Sequence, residues 1–297
     1  MSPLRDRAEA LYRRLQETIC AGLEQVDGEG RFGRDTWERP GGGGGLTRVL
    51  ADGALLEKGA VNVSAVWGPI PPGLRAQLQL GAGGEQFFAT GVSMIFHPRN
   101  PHAPTMHANL RYLETDVGAG WFGGGCDLTP YYLYEEDARH FHGVVRAACE
   151  RHAVGDYPGW KRWCDRYFFL DHRGEARGVG GVFFDHMQGD AEAWLALQAD
   201  LGEALLPAYA PLLARRAATP FGPAEERWHL QRRGRYVEFN LVHDRGTKFG
   251  LQSGGRTESI LVSLPPRVRW DYGQTPAPGT PERRLLDLLT GPPREWA

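Results

Sequence analysis

Three strand-like segments follow one another without a helix between them, and this succession limits the fold more than any other feature of the sequence. They are residues 60–66, 87–97 and 106–114. Polar and apolar residues alternate along the third segment, which is typical of a strand with one face in the core. Consecutive strands without a crossover helix argue against a doubly wound parallel fold. We therefore predict an antiparallel or mixed sheet with helices on its faces.

Helical periodicity and turn signals account for much of the remaining chain. Apolar residues at helical spacing predict helices over residues 4–26, 135–152, 160–167, 191–215 and 281–289. Pro207 is expected to kink or split the fourth of these helices. Further strands are predicted at residues 179–184, 236–243 and 259–264. The chain has no internal repeat and no Pro/Ser-rich linker, so we predict a single α+β domain over residues 1–297, in which residues 1–40 form an N-terminal helix and a glycine-rich lead-in.

Five consecutive glycines, residues 41–45, are predicted to end regular structure, because glycine adopts positive φ freely. A mobile loop or a close backbone approach to a ligand are the two interpretations. A phosphate-binding loop would need Gly-Lys-Ser/Thr after its glycines, whereas Leu46 follows here. The chain also lacks the glycine fingerprint of a dinucleotide-binding fold. We therefore expect no NAD or flavin cofactor.

Charge and cysteine content argue against several other functions. The 34 basic and 36 acidic residues give a formal charge of -2, so no basic surface for nucleic acid is expected. The four cysteines form no C-x-x-C pair, and scattered thiols suit a reducing compartment. Residues 1–17 contain no apolar signal region, and no stretch of about 18 apolar residues is present. We predict a cytoplasmic protein without membrane insertion.

The segment over residues 91–111 carries the densest set of polar side chains. Strand alternation places His107, Asn109 and Arg111 on one face of their strand, and Ser93 and His97 on one face of the preceding strand. The proline-rich stretch between the two strands reads as a turn. If the strands pair, the five side chains share one polar surface. A strand face exposed to solvent is the alternative that the spacing leaves open.

Two further motifs are less specific. Gly254, Gly255 and Arg256 can present backbone N–H groups beside a guanidinium, which suits a carboxylate. An ordinary hairpin turn is the simpler explanation of the tripeptide taken alone. The histidines of the chain match no short metal-binding motif. A lone histidine is more often structural or exposed than a ligand.

Taken together, the motifs resemble the aerobic coproporphyrinogen-III oxidase family. The matching runs include AVNVS at 60–64, HPRNP at 97–101, PTMHANLR at 104–111, WFGGG at 121–125, DLTP at 127–130, HRG at 172–174, GGVFFD at 180–185, RRGRYVEFN at 232–240 and GGRTESI at 254–260. They occur in the order of the family, from the glycine pentad to the C-terminus. No single run is sufficient, but the ordered set is specific.

The resemblance implies a fold and a reaction. The fold would be a broad, rather flat antiparallel sheet with helices on both faces, assembled as a homodimer through residues 236–271. The substrate would be coproporphyrinogen III, two of whose propionates become vinyl groups to give protoporphyrinogen IX in haem biosynthesis. Dioxygen would be the co-substrate, with release of carbon dioxide and hydrogen peroxide and without flavin, NAD or haem.

The resemblance also implies roles for particular residues. His107 would donate a proton, and Asp185 would contact pyrrole N–H groups. Substrate contacts would come from Ser93, Asn109, Leu110, Arg111, Gly254, Gly255 and Arg256. A divalent metal ion, manganese or a similar ion, would bind His97, His107, His142 and His172. His186 stands where relatives often carry a second acid, which puts any role shared between two carboxylates in doubt.

The residue types agree with this chemistry, because Arg111 and Arg256 can bind propionates through bidentate hydrogen bonds. Two other functions remain open. A metal-dependent hydrolase built on the same histidines would work without oxygen and fail with chelators. A tetrapyrrole carrier would bind without forming vinyl product, although the retained polar set, which includes Ser93, His107 and Asp185, argues against it.

Overall fold

Strands that follow one another in the chain pair to form the centre of the molecule. The structure, a computed structural model, describes residues 3–70, 75, 84–117, 120–252 and 255–297. Its strands are β1 (Gly33–Glu38), β2 (Gly43–Ala51), β3 (Leu56–Pro69), β4 (Gln86–Pro98), β5 (Thr105–Thr115), β6 (Trp121–Thr129), β7 (Phe169–Leu170), β8 (Glu175–Ala176) and β9 (Gly180–Met187). Within these residues, seven strands form one antiparallel sheet in the order β1-β2-β3-β4-β5-β6-β9, and β7 pairs with β8.

Helices precede, interrupt and follow the strands. They are α1 (Pro3–Asp27), α2 (Glu135–Glu150), α3 (Tyr157–Tyr167), α4 (Ala191–Arg216), α5 (Pro223–Glu238), a π-helical turn (Phe239–His243), α6 (Arg245–Gln252), α7 (Thr257–Leu261) and α8 (Pro281–Leu289). The carboxylate of Asp190 caps α4 by accepting hydrogen bonds from the N–H groups of Glu192 and Ala193. In the part of the chain described, no helix combines the length and apolar character needed to cross a membrane.

The apolar face of the sheet lies against α1, α2 and α4 and forms the main core. Its buried strand residues include Val61, Val63, Val92, Met94, Met106, Ala108, Leu110 and Tyr112. They occupy alternate positions, so each strand contributes every second side chain to this core. Full burial of one large apolar side chain stabilises the fold by about 1.5–3 kcal/mol.

The opposite face is polar and is partly covered by the segment from α5 to α7. Asn62 donates a hydrogen bond of 3.0 Å to the carbonyl of Ser259, and the hydroxyls of Thr47 and Ser259 lie 2.9 Å apart. Tyr236 packs against Ala60 and Ile95 on the same face. Helices therefore contact both faces of an antiparallel sheet, and the predicted α+β class is confirmed.

Most predicted elements are confirmed, including all five helices and the strands at residues 60–66, 87–97, 106–114 and 179–184. Pro207 does not split its helix, because α4 continues through both Pro207 and Pro211. Pro211 has no N–H for the carbonyl of Pro207, four residues earlier. His140 supplies the missing donor, with Nε2 at 3.0 Å from that carbonyl oxygen.

The predicted strands at 236–243 and 259–264 are wrong, because these residues form the end of α5, the π-helical turn and α7. The prediction relied on the alternation of Val237, Phe239 and Leu241. In the structure Leu241 is 46% exposed, whereas Tyr236 and Asn240 are buried. Spacings of three and four residues define the buried side here, and they are helical.

The glycine pentad was also predicted incorrectly, since β2 begins at Gly43. A Cβ on Gly43 would lie 2.1 Å from the carbonyl oxygen of Ala65 on β3. Within the described chain, the close backbone approach is thus to the neighbouring strand. Conversely, β6 was not predicted, because three of its nine residues are glycines, which weaken the strand signal.

Candidate active site

The pairing register aligns a row of small and polar residues across the polar face of the sheet. Thr47, Asn62, Ser93, Asn109 and Gly125 are direct partners on β2 to β6. We call this row the polar strip. Ser93 is exposed and Asn109 is half-buried. The predicted pairing of the strands that carry Ser93 and Asn109 is therefore confirmed, and the strip is open to a ligand.

Arg111 and Asp185 form an ion pair beside the strip. The Nη2 atom of Arg111 lies 2.8 Å from Oδ1 of Asp185, and its Nη1 atom donates a 2.7 Å hydrogen bond to Asn109. Gly123, opposite Arg111 on β6, makes room for this pair. A Cβ on Gly123 would lie 2.6 Å from Asp185 Oδ1 and 2.9 Å from Arg111 Nε. The Arg111 side chain is still 36% exposed and therefore accessible to an anion.

His107 is oriented by a buried carboxylate on the neighbouring strand. Asp127 is its register partner, and Nδ1 of His107 donates a 2.9 Å hydrogen bond to Asp127 Oδ1. Burial would raise the pKa of Asp127, but Arg177 and the bond from His107 outweigh burial and hold this pKa below its usual value. Because Asp127 is ionised and accepts at Nδ1, the Nε2 atom of His107 is left for chemistry.

Arg177 completes this arrangement behind Asp127. Its Nη2 atom lies 2.7 Å from Asp127 Oδ1, and its Nη1 atom donates a 3.1 Å hydrogen bond to Asn240. Its guanidinium carbon lies 3.9 Å from the ring centre of Phe168 and 4.7 Å from that of Tyr236. Burial opposes the charge of Arg177, but Asp127 outweighs it and the pKa of Arg177 is raised. The His107–Asp127–Arg177 chain is thus a fixed ionic support.

Arg256 lies at the other end of the strip, directly before α7. Its Nη2 atom lies 2.5 Å from Oδ2 of Asp35 on β1. Ser259 of α7 contacts both Thr47 and Asn62, which places the helix over the first two strip residues. Gly255 is exposed beside Arg256. Gly254 lies outside the described residues.

Known proteins of similar sequence identify the family. A family model described as coproporphyrinogen III oxidase matches residues 7–296. The chain belongs to the coproporphyrinogen III oxidase family. Among its relatives is the oxygen-dependent coproporphyrinogen-III oxidase, chloroplastic, of Glycine max. The two sequences are 49% identical over an alignment of 307 residues, which covers 99% of this chain and 80% of the relative. The resemblance stated from the ordered motifs is confirmed.

Leu110 does not share the polar face with Ser93, Asn109 and Arg111, which the family resemblance suggested together with it. Its side chain is 1% exposed and lies in the main core, where it is close to Gly202 of α4. Its backbone pairs with Val92 and Gly124 on the adjacent strands. We therefore leave Leu110 out of the proposed site.

The four histidines that the family resemblance suggested as metal ligands are not brought together. His97 is fully buried, with Nε2 donating to the carbonyl of Ser263 and Nδ1 against the hydroxyl of Thr105. His142 is buried in the main core, with its nitrogens on Tyr157 and the carbonyl of Val179. Neither imidazole has a free lone pair, as a metal ligand requires.

His172 is separate from both, since its nitrogens contact His243 and Glu238 near the π-helical turn. No group of three or more candidate ligands is placed to hold a metal ion among the residues that the structure describes. The predicted four-histidine set therefore does not fit one ion, and no chemical step is derived through a metal.

Two residues that support the site, Asp127 and Arg177, received no role from the sequence, although Asp127 opens the matched run DLTP. Asp127 had a usable signal, because Gly123, Gly125 and Asp127 alternate along β6 and a predicted β6 would have placed Asp127 opposite His107. Arg177 lies between two short elements and offers no such periodicity. Its role is visible only in three dimensions.

Proposed function

We propose that this member of the family catalyses the oxygen-dependent oxidative decarboxylation of coproporphyrinogen III to protoporphyrinogen IX in haem biosynthesis. The observation that carries the proposal is the polar strip, which has Arg256 at one end and the Arg111–Asp185 pair at the other. A flexible tetrapyrrole with four propionates needs separated cationic groups and a polar surface between them. The strip supplies both on one face of a rigid sheet.

The stoichiometry defines what the site must do. Each –CH2–CH2–COO⁻ group reacts with one O2 and one proton to give –CH=CH2, CO2 and H2O2. Two electrons leave the side chain and reduce dioxygen to peroxide. The site must therefore bind a carboxylate, stabilise positive charge on the pyrrole as the side chain is oxidised, and supply a proton.

Arg111, Arg256 and Asp185 meet the first two requirements. A guanidinium binds a carboxylate through two parallel hydrogen bonds, and each such charge-assisted bond contributes about 1.5–3 kcal/mol. Asp185 can accept a hydrogen bond from a pyrrole N–H and stabilise positive charge on that ring. Ser93 and Asn109 offer hydrogen bonds to the substrate between the two arginines. Dioxygen is the electron acceptor in this proposal.

His107 meets the third requirement. Its Nδ1–H is fixed on Asp127, so Nε2 is the atom that exchanges protons with the reacting groups. Arg177 keeps Asp127 ionised, so that Asp127 continues to hold the imidazole through Nδ1. The arrangement follows the general logic of a carboxylate that orients a histidine.

We also propose that the protein is a cytoplasmic homodimer. Exposed apolar side chains in the suggested contact segment, residues 236–271, support the dimer, and they include Leu241, Val242 and Trp270 at 46%, 50% and 54% exposure. The Glycine max relative is named as chloroplastic, so the compartment of this protein needs direct localisation.

The decisive experiment compares aerobic and strictly anaerobic incubation of the purified protein with coproporphyrinogen III. We expect a product that is lighter than the substrate by two CO2 and four hydrogen atoms, and that gives protoporphyrin on oxidation, only in the aerobic sample. Product at an equal rate without oxygen would favour the hydrolase. Stoichiometric binding without vinyl product would favour the carrier.

A further inference from the structure

Asp35 lies on the proposed substrate-binding face, although no sequence motif marks it. It is the register partner of Thr47, so the row continues from the polar strip through Thr47 to Asp35 on β1. Asp35 and Arg256 bond at 2.5 Å. One of the two proposed propionate-binding arginines is thus occupied by a carboxylate of the chain itself.

We propose that Asp35 is a specificity-determining residue that holds Arg256 until a substrate propionate displaces it. This inference rests on the proposed function, because it assumes that Arg256 binds a propionate. Asp35 then competes with every incoming anion. Only a carboxylate that binds the guanidinium of Arg256 more strongly than Asp35 does can displace Asp35.

The nitrogen of Arg256 that Asp35 does not contact supports the displacement of Asp35 by a propionate. Asp35 contacts Nη2 of Arg256, whereas Nη1 is buried and has no hydrogen-bond partner in the described part of the chain. A buried donor without an acceptor is unfavourable. A propionate with two free oxygens can satisfy both nitrogens, which Asp35 does not do from β1.

The exposure of the pair also favours an exchangeable contact over a structural one. Asp35 is 55% exposed and Arg256 is 29% exposed. The same protein shows what a structural pair looks like, since Arg233 and Glu57 are 0% and 8% exposed and Arg233 also donates to the carbonyl of Pro98. Exposed ion pairs contribute little to stability, so the Asp35–Arg256 contact can be exchanged at low cost.

A double-mutant cycle tests the proposal by binding alone. The probe is coproporphyrin III, the stable oxidised tetracarboxylate, titrated by its fluorescence against wild type, Asp35→Asn, Arg256→Ala and the double variant. We expect Asp35→Asn to tighten binding by about two- to fivefold, the range that an exposed ion pair supports. Arg256→Ala should weaken binding, and adding Asp35→Asn to it should bring no further gain.

Glu38→Gln is the matched control, because it removes the same charge from the same strand. Glu38 alternates onto the face of β1 shared with Arg34, which pairs with Glu17 of α1. Its replacement should leave the dissociation constant unchanged. Thermal unfolding of each variant checks that the fold is retained.

Three results overturn the proposal. Weaker binding by Asp35→Asn would mean that Asp35 positions Arg256. A gain that persists without Arg256, or that Glu38→Gln reproduces, would be a general charge effect. Absence of binding by wild type would remove Arg256 as a propionate site. Because the titration needs neither oxygen nor turnover, it gives an answer even if no vinyl product forms and the proposed reaction fails.

Discussion

At the residue scale, the buried carboxylate of Asp127 determines which imidazole nitrogen of His107 carries a proton. Asp127 accepts hydrogen bonds from both His107 and Arg177 while its side chain is 2% exposed. An ionised Asp127 accepts from Nδ1 and thereby fixes the tautomer of His107. In the proposed reaction the imidazole of His107 touches the substrate, and Asp127 acts through it.

Asp127→Asn should therefore lower kcat by about a hundredfold or more, because an amide nitrogen facing Nδ1 favours the wrong tautomer. KM should change little, since the propionate-binding arginines are untouched. Steady-state kinetics with coproporphyrinogen III measure both constants. A large loss of stability, of about 3–5 kcal/mol, is also expected, because Arg177 loses its buried counter-charge.

His107→Gln serves as the comparison for this prediction. If Asp127→Asn and His107→Gln lose similar activity, orientation of the imidazole accounts for the role of Asp127. Full kcat in a folded Asp127→Asn protein would show that His107 does not need this partner.

At the element scale, strand alternation predicts part of the site and fails where glycine or helix periodicity intervenes. The alternation along β4 and β5 was enough to place Ser93, His107, Asn109 and Arg111 on one face. The glycines of β6 concealed the strand that carries Asp127. The contact between Arg177 and Asp127 joins distant segments, and no local pattern encodes it.

Gly123→Ala tests whether β6 makes room for the Arg111–Asp185 pair. The added methyl group would meet the ends of both side chains at 2.6 and 2.9 Å, so the side chains should move while the backbone stays. We expect at least a tenfold loss of kcat/KM, with a change in unfolding free energy of about 1 kcal/mol or less. Activity assays and chemical denaturation measure the two quantities.

Gly143→Ala on α2 is the control for this substitution. Its Cβ would meet nothing within 4 Å. Alanine is the better helix former by about 0.8–1 kcal/mol, so this variant should be more stable and equally active. Equal activity of both alanine variants would contradict the proposed role of Gly123.

At the scale of the whole molecule, buried histidines set the acid limit of stability. Burial lowers the pKa of His142 to about 3, and burial together with Arg233 holds the pKa values of His97 and His229 well below their usual range. These groups stay neutral in the folded protein but take up protons in the unfolded chain below about pH 6.5. The stability that these neutral histidines contribute is therefore fully present above that pH and is lost as the pH falls.

Each such histidine should lower the free energy of unfolding by about 1.4 kcal/mol for every pH unit below 6.5. The three together should lower it by about 4 kcal/mol between pH 7.5 and pH 5.5. Urea unfolding across this range measures the loss. Carboxylates titrate in the unfolded chain near pH 4, below this window. A free energy of unfolding that stays constant from pH 7.5 to 5.5 would contradict the prediction.

The assembly is a second prediction at this scale. We expect light scattering to give twice the chain mass, because exposed apolar residues are concentrated in the suggested contact segment. Replacing Leu241 and Val242 by aspartate should favour the monomer, since charged carboxylates are costly to bury in an apolar interface. The same double change at exposed Val117 and Phe221 is the control, and a wild-type monomer at working concentration would refute the dimer.

The connectivity of the sheet also has a consequence for how the chain folds. β1 to β6 each pair with a neighbour in sequence, and four of the five connections between them are shorter than seven residues, so these hairpins can form early. β9 must wait for α2 and α3 before it can pair with β6, and it carries Asp185. A half-folded chain therefore presents Arg111 without its counter-charge.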